Sequence, residues 1–356
     1  MTASLFAPLP LRSLMLRNRI VVSPMCQYSS TNGFATDWHL VHLGGFAVGG
    51  ASLVFTEATA ISPEGRISPH DLGIWDDAHV EALARATAFV RAQGAVAGIQ
   101  LAHAGRKASV DTPWRGGRTL SVEEGGWRPL RGPSAIAFSE HTPVPVEMNS
   151  ADIATVVDDF RSATVRARAA GFQVVEVHGA HGYLLHEFLS PLSNERADEY
   201  GGSFENRTRL LMQCVDAVRA EWPDSLPVFV RISATDWAEG GWDIDQSVEL
   251  CRLLGARGVD VVDCSTGGNV HGAKIPVGPG YQVQFAERIR RDAGMPTGAV
   301  GLIREAAQAN EIVAGGRADL IIIARELLRD PHFPLRAARE LGVDVAWPVQ
   351  YERAKR

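Results

Sequence analysis

Lysine is nearly missing from this 356-residue chain: Lys107, Lys274 and Lys355 stand against 32 arginines. Covalent chemistry through an amine therefore has only three places to occur. Cysteine is sparse too. Cys26, Cys214, Cys251 and Cys264 are widely spaced, with no CxxC and no CxxH, which argues against a disulfide framework or structural zinc and for a reducing compartment. No stretch of about 18 apolar residues occurs, so no membrane span is expected. The net charge is −6 with no basic block, so nucleic acid is not an expected partner. The opening MTASLFAPLPLRSL has no basic region followed by an apolar core, so no secretory signal is expected and the cytoplasm is the expected location. No GxGxxG loop follows the first Val/Ile-rich run, which counts against an open dinucleotide-binding sheet.

What is present is regular. Hydrophobic residues make up 46% of the chain, enough for a sizeable core. Val- and Ile-rich runs recur at 19–25, 51–59, 95–103, 172–180, 226–233, 259–266, 295–301 and 318–325. Between and after them lie segments of helical period at 38–48, 76–93, 151–170, 204–221, 244–256, 281–293, 303–315 and 331–341. Start signals accompany several, among them Ser150 with Asp152 before the third and Asp243 before the fifth. Eight strand–helix pairs predict an α/β fold, a closed (β/α)8 TIM barrel. No linker or composition shift divides it, so residues 1–356 read as one domain. Two segments stand outside the count. Residues 104–150 form a long Gly/Pro/Trp-rich loop after the third strand, a lid or binding wall by its length. The C-terminal arm VAWPVQYERAKR carries Trp347 and Tyr351, which suggest that it docks.

The chemistry concentrates at strand ends, where barrels of this kind place their sites. The fourth run ends in His178, His181 and Tyr183, and packing alone explains such a group poorly because buried polar groups need partners. Two imidazoles can converge on one substrate oxygen while a phenol delivers a proton nearby. A metal site using HxxH with His186 is the alternative, but no acidic or cysteine ligand cluster accompanies it. TGAVG near the seventh strand and ARELL at the eighth place Gly301 and Arg325 where a phosphate can be held, with Arg231 a second cation. A Schiff-base aldolase needs a strand-end lysine, usually on the sixth strand, where this chain has Cys264 and Ser265. A non-catalytic phosphate binder has no need of the two histidines and the tyrosine together.

RNRIVVSPMCQYSS, GIQLAHAGRKAS, HGAHGYLLHEFLSPLSNERADEYGGSFENRTR and ADLIIIARELLRDP together resemble the Old Yellow Enzyme ene-reductases. The Cys26/Tyr28 start and the PVQYER tail resemble their shorter bacterial, thermophilic-like branch. The resemblance runs nearly end to end and implies non-covalent FMN, with NADPH or NADH as co-substrate. It implies that Ser23, Pro24, Met25, Cys26, Ala60 and Gln100 line the isoalloxazine and that Arg231 sits by its N1/C2 edge. Gly301, Ala324 and Arg325 are implied to hold the phosphate. His178 and His181 are implied to bind the oxygen of an α,β-unsaturated carbonyl or nitro substrate, and Tyr183 to protonate its α-carbon after hydride reaches the β-carbon. Tyr28 and Cys26 are implied to contact substrate, and Arg353 to enter a neighbour's site in a homodimer or dimer of dimers. Two departures stand out: Ala324 replaces a glycine common in close relatives, and the loop at about 110–131 is longer than in compact members.

Plainer readings compete at single positions. Cys26 reads equally as a small buried hydrophobe and Arg231 as a salt-bridged core residue. Glu57 reads as balancing an arginine, Lys107 as a flavin or loop contact, and Trp114 and Trp127 as loop packing. A dienoyl-CoA or morphinone-type reductase is the runner-up within the flavin class, though the cluster-binding cysteines of its larger members are missing.

Overall fold

The eight Val/Ile-rich runs form the parallel strands of a closed barrel in a computed structural model that describes residues 4–355. The barrel strands are β1 (Ile20–Val22), β2 (Leu53–Ala60), β3 (Val96–Ala102), β4 (Val174–Gly179), β5 (Val228–Ser233), β6 (Val261–Ser265), β7 (Thr297–Ala299) and β8 (Leu320–Ile323). They pair in sequence order, and β8 closes onto β1 through Ile321 opposite Ile20. The covering helices are α1 (Asp37–Val48), α2 (His79–Ala92), α3 (Ser150–Ala169), α4 (Phe204–Glu221), α5 (Ile244–Ala256), α6 (Val283–Ala293), α7 (Ala306–Ala314) and α8 (Phe333–Glu340). Each lies within a few residues of its sequence window. The expected TIM barrel is the fold observed. Among the described residues no helix is long and apolar enough to cross a membrane.

Local signals explain most boundaries. Asp243 caps α5, its carboxylate accepting the Gln246 amide at 2.9 Å. The start of α3 differs from the expectation by one residue. Asn149, not Ser150, is the cap: its side chain accepts from Ala151 and Asp152, and Asp152 Oδ2 accepts the Asn149 amide in return. Ser150 is already helical.

Several pieces have no signal strong enough to read. An antiparallel pair, Leu9–Leu11 with Leu14–Leu16, precedes the barrel. Short helices at Leu184–Leu189 and Arg325–Arg329 follow β4 and β8. The long loop holds turns at Gly105–Lys107 and Pro113–Arg115 and a two-residue strand pair, Arg131–Gly132 with Val146–Glu147.

The barrel interior changes character from bottom to top. Leu11 and Leu16 of the antiparallel pair pack with Val21, Leu53, Phe55, Val174, Phe229, Val261, Leu320 and Ile322, plugging the N-terminal end with an apolar layer. Burying each such side chain contributes roughly 1.5–3 kcal/mol. Because strand side chains alternate, the next inward residues are two positions further along. On β4, β5 and β6 these are Glu176, Arg231 and Asp263, and two further on come His178, Ser233 and Ser265. The sequence phase that builds the plug therefore also delivers the polar side chains to the C-terminal rim.

Candidate active site

His178 ends the inward row of β4, and its Nδ1 accepts the Ala180 amide at 3.2 Å. The ring proton then resides on Nε2, which has no protein partner among the described residues and is free to donate. His181 follows in a left-handed conformation, φ 61°. Three features hold it there. Its amide donates to Ser233 Oγ at 2.9 Å, its Nε2 lies 2.7 Å from Ser265 Oγ, and the backbone beyond β6 presses against it. A Cβ on Gly268 would fall 2.7 Å from the His181 backbone, and one on Gly182 would fall 2.3 Å from the Gly268 carbonyl. Only glycine permits that approach.

The His178 and His181 rings stand 5.2 Å apart and nearly perpendicular, and the Tyr183 ring lies 5.2 Å from His178, again nearly perpendicular. His186 does not join them. It is fully buried, with Nδ1 accepting the Gly182 amide at 2.9 Å and Nε2 3.0 Å from Asp236 Oδ1. Among the described residues no group of three or more His, Cys, Asp or Glu side chains is placed to hold a metal ion.

The electrostatics favour neutral forms. Burial, then Arg231, pushes both rim histidines well below the usual histidine pKa, with Lys107 adding to the effect. Burial raises the Tyr183 phenol well above its usual value, and nearby Cys26, Tyr28 and Asp71 act the same way. At neutral pH the site thus holds two uncharged imidazoles and a protonated phenol. Cys26 and Tyr28, from the segment after β1, pack with Tyr183 in one apolar cluster that includes Ala58, Ile67 and Ala102. The Cys26 thiol is pushed up by burial and by Asp71 and Glu57. Tyr28 meets Trp114 edge-on at 5.7 Å.

Below the rim lies a charged layer. Gln100 Nε2 donates to Glu176 Oε1 at 2.7 Å, and Arg231 Nε lies 3.1 Å from Asp263 Oδ2, angled so that it makes no hydrogen bond. Arg231 and Gln100 each sit two residues before their strand ends rather than at them. Arg231 is therefore salt-bridged and stands opposite His178 in the strand register, close enough to act on both rim histidines.

The C-terminal ends of β7 and β8 open on a cleft of about 170 Å³ lined by Gly301, Ala324 and Arg325, with Ser265, Tyr281 and Gln282 opposite. Gly301 has φ 120°, a conformation that favours glycine, and a Cβ there would crowd the Gln282 and Tyr281 side chains at 3.2 Å. Ser23 donates its amide to Ile323, and Ala60 is pinned by backbone bonds to Leu72 and Ile74. Pro24 and Met25 are half-buried beside them. A flat phosphorylated cofactor fits this donor set: a small anion-sized cleft at one side and an incompletely bonded guanidinium beneath the rim.

Arg353 is not brought to the rim. It stands exposed on the tail turn Val349–Ala354, with no hydrogen bond or ion pair among the described residues. The tail does fold onto its own chain, Tyr351 against His332 at 5.8 Å and Lys355 on Asp344. Glu57 balances no arginine. Its Oε1 lies 3.2 Å from His39 Nε2 and its Oε2 accepts the Gln27 amide, so the acid belongs to a buried histidine pair. Trp127 packs as expected, under Arg66, with its indole donating to Glu64.

Ser233, Gly268 and Tyr281 escaped the sequence reading. Ser233 was discoverable, since it continues the inward row of Phe229 and Arg231.

A parallel barrel with this rim defines a flavin-dependent oxidoreductase. The chain belongs to the NADH:flavin oxidoreductase / NADH oxidase family, which it matches over residues 4–343. It is 49% identical over 355 residues to the NADPH dehydrogenase of Bacillus subtilis (strain 168), covering 99% of each chain. Among solved structures it is similar to the old yellow enzyme homologue from Zymomonas mobilis (TM-score 0.79, 26% identity, 98% of each chain). It is also similar to morphinone reductase (TM-score 0.79, 28% identity, 97% of this chain and 91% of that one). The resemblance to Old Yellow Enzymes read from the sequence is borne out. The protein is an NAD(P)H oxidoreductase with FMN as its cofactor.

Proposed function

We propose that this enzyme reduces the activated C=C bond of α,β-unsaturated carbonyl and nitro compounds at the expense of NADPH. The observation that carries the reading is the pair of neutral, perpendicular imidazoles 5.2 Å apart with a protonated phenol 5.2 Å from one of them. Uncharged N–H donors polarise a carbonyl or nitro oxygen without giving up their protons, and the electron-poor β-carbon then accepts hydride. Bound FMN would supply the hydride chemistry, with NAD(P)H as the reductant. His178 Nε2 and His181 grip the oxygen, and Tyr183 Oη passes its proton to the α-carbon. Tyr28 and Cys26 form the apolar wall against which the substrate lies.

The same reading gives cofactor roles. Ser23, Pro24, Met25, Cys26, Ala60 and Gln100 would hold the ring system of bound FMN, and Arg231 would supply a positive charge that favours its reduced form. Gly301, Ala324 and Arg325 take the phosphate. Arg353, exposed and unpaired on the tail, reaches a second copy in a homodimer or dimer of dimers. Residues 1–356 act as one barrel domain, of which 1–3 and 356 lie outside the described residues.

The test is anaerobic and direct. The FMN-loaded protein should bleach with NADPH and regain its colour when 2-cyclohexenone is added. Bleaching without recovery would sink the ene-reductase reading while leaving the oxidoreductase intact.

A further inference from the structure

Lys107 is a half-buried lysine with an unusual set of partners. Its ammonium donates to the carbonyl of His181 at 2.8 Å and to that of Gly268 at 2.9 Å. The same nitrogen lies 5.1 Å from the centre of the Tyr183 ring and 4.5 Å from that of Phe138. Among the described residues no carboxylate forms an ion pair with it. Glu187, the acid on the adjoining helix, instead accepts the Arg106 amide at 2.9 Å. An ammonium held by two carbonyls with no carboxylate on it, half-buried at the wall of a cavity, gives up part of its hydration, and that placement needs a reason.

We propose that Lys107 is a positioning residue for proton delivery: it ties the turns after β4 and β6 together and holds a positive charge against the Tyr183 ring. The inference rests on the functional reading above. When Tyr183 gives its proton to the α-carbon, a phenolate is left in an apolar cluster, with bulk water restoring the proton later. A cation about one ring-width away stabilises that phenolate far more than it does the neutral phenol. The carbonyl contacts do the geometric half of the work. His181 is held left-handed, and the Lys107 bridge fixes its carbonyl against the glycine that abuts it.

The charge itself is titratable. Burial lowers the Lys107 pKa to about 8, Glu187 raising it and Arg106 lowering it. The other ionisable groups facing it are His178, His181 and Tyr183, with Arg118, His141 and His271 around the neighbouring cavity of about 450 Å³. The proton-delivery step should therefore weaken above about pH 8.

The experiment compares FMN-loaded wild type, Lys107→Met and Lys107→Arg in separate half-reactions. Reduction by NADPH should be unchanged in all three. Reoxidation by 2-cyclohexenone should fall about 30-fold in Lys107→Met and recover largely in Lys107→Arg. The alkaline decline of wild type should vanish in Lys107→Met, and adding Tyr183→Phe to that variant should cost little more. A wild-type rate and pH profile in Lys107→Met overturns the proposal. If Lys107→Met fails to fold, Tyr183→Phe alone decides, because an alkaline decline that persists without the phenol equally overturns it. Should wild type itself not reduce the enone, the functional reading falls first, and the two failures are told apart.

Discussion

Two pairs of histidines in this barrel live by opposite rules. His39 and His186 each lie against a carboxylate, Glu57 at 3.2 Å and Asp236 at 3.0 Å, and each has its other nitrogen satisfied by a backbone amide. His178 and His181 have no acid beside them and face Arg231 and Lys107 instead. The first pair is turned onto the protein's own carboxylates. The second is left incomplete and uncharged, as a binding group must be. What separates the two kinds is what each ring nitrogen meets.

The sharpest way to break this contrast is His186→Ala. It strands Asp236, which also accepts from Ser190 and Trp242, in a fully buried position. Stability should fall by about 3–5 kcal/mol in chemical denaturation, and a loss under 1 kcal/mol would mean the pair is not structural. The converse is His178→Asn or His181→Asn. Each should cost about 100-fold in kcat/KM for 2-cyclohexenone while shifting stability by less than about 1 kcal/mol.

Gly268→Ala addresses the backbone that aims His181. The added Cβ meets His181 at 2.7 Å in a φ 92° conformation, so about 1–3 kcal/mol of strain is expected. It should appear as a raised KM together with a lowered melting temperature; a raised KM alone would point to a direct substrate contact.

The smallest effect is in pH. The rim histidines have depressed folded pKa values, so the stability they contribute is complete above their unfolded pKa near 6.5 and is lost as pH falls below it. Burial pushes Asp236 up, but His186 and the hydroxyl and amide donors outweigh it and leave its pKa lowered. Its contribution is complete above the unfolded value near 3.9 and is lost only as pH falls through the lower folded value. Denaturation midpoints should therefore show two acid limbs. The upper one should shrink in the His178→Asn/His181→Asn double variant, with His42, His79 and His103, which burial also lowers, supplying what is left; the lower one should shrink in His186→Ala.

Much of this was legible beforehand because strand and helix periods are strong signals over eight repeats. The barrel, the strand-end histidines and the glycine at 301 follow from those periods and from residue chemistry. What stayed hidden depends on tertiary approach. Nothing in the sequence says that the Gly268 carbonyl meets Lys107, or that Glu57 belongs to His39 rather than to an arginine. The three-residue strands of the antiparallel plug are too short to show a period. Asn149 and Ser150 are both good caps side by side, and only the fold chooses between them.

The inward row Val174, Glu176, His178 makes plug, charged layer and catalytic rim successive steps of one strand. A one-residue insertion in β4 would turn Val177 inward and His178 toward the helices. Core and chemistry would be lost in the same event, so neither can drift without the other. The exposed stretches of the long loop, residues 113–118 and 121–125, are under no such constraint and are where descendants of this sequence have room to change what they accept.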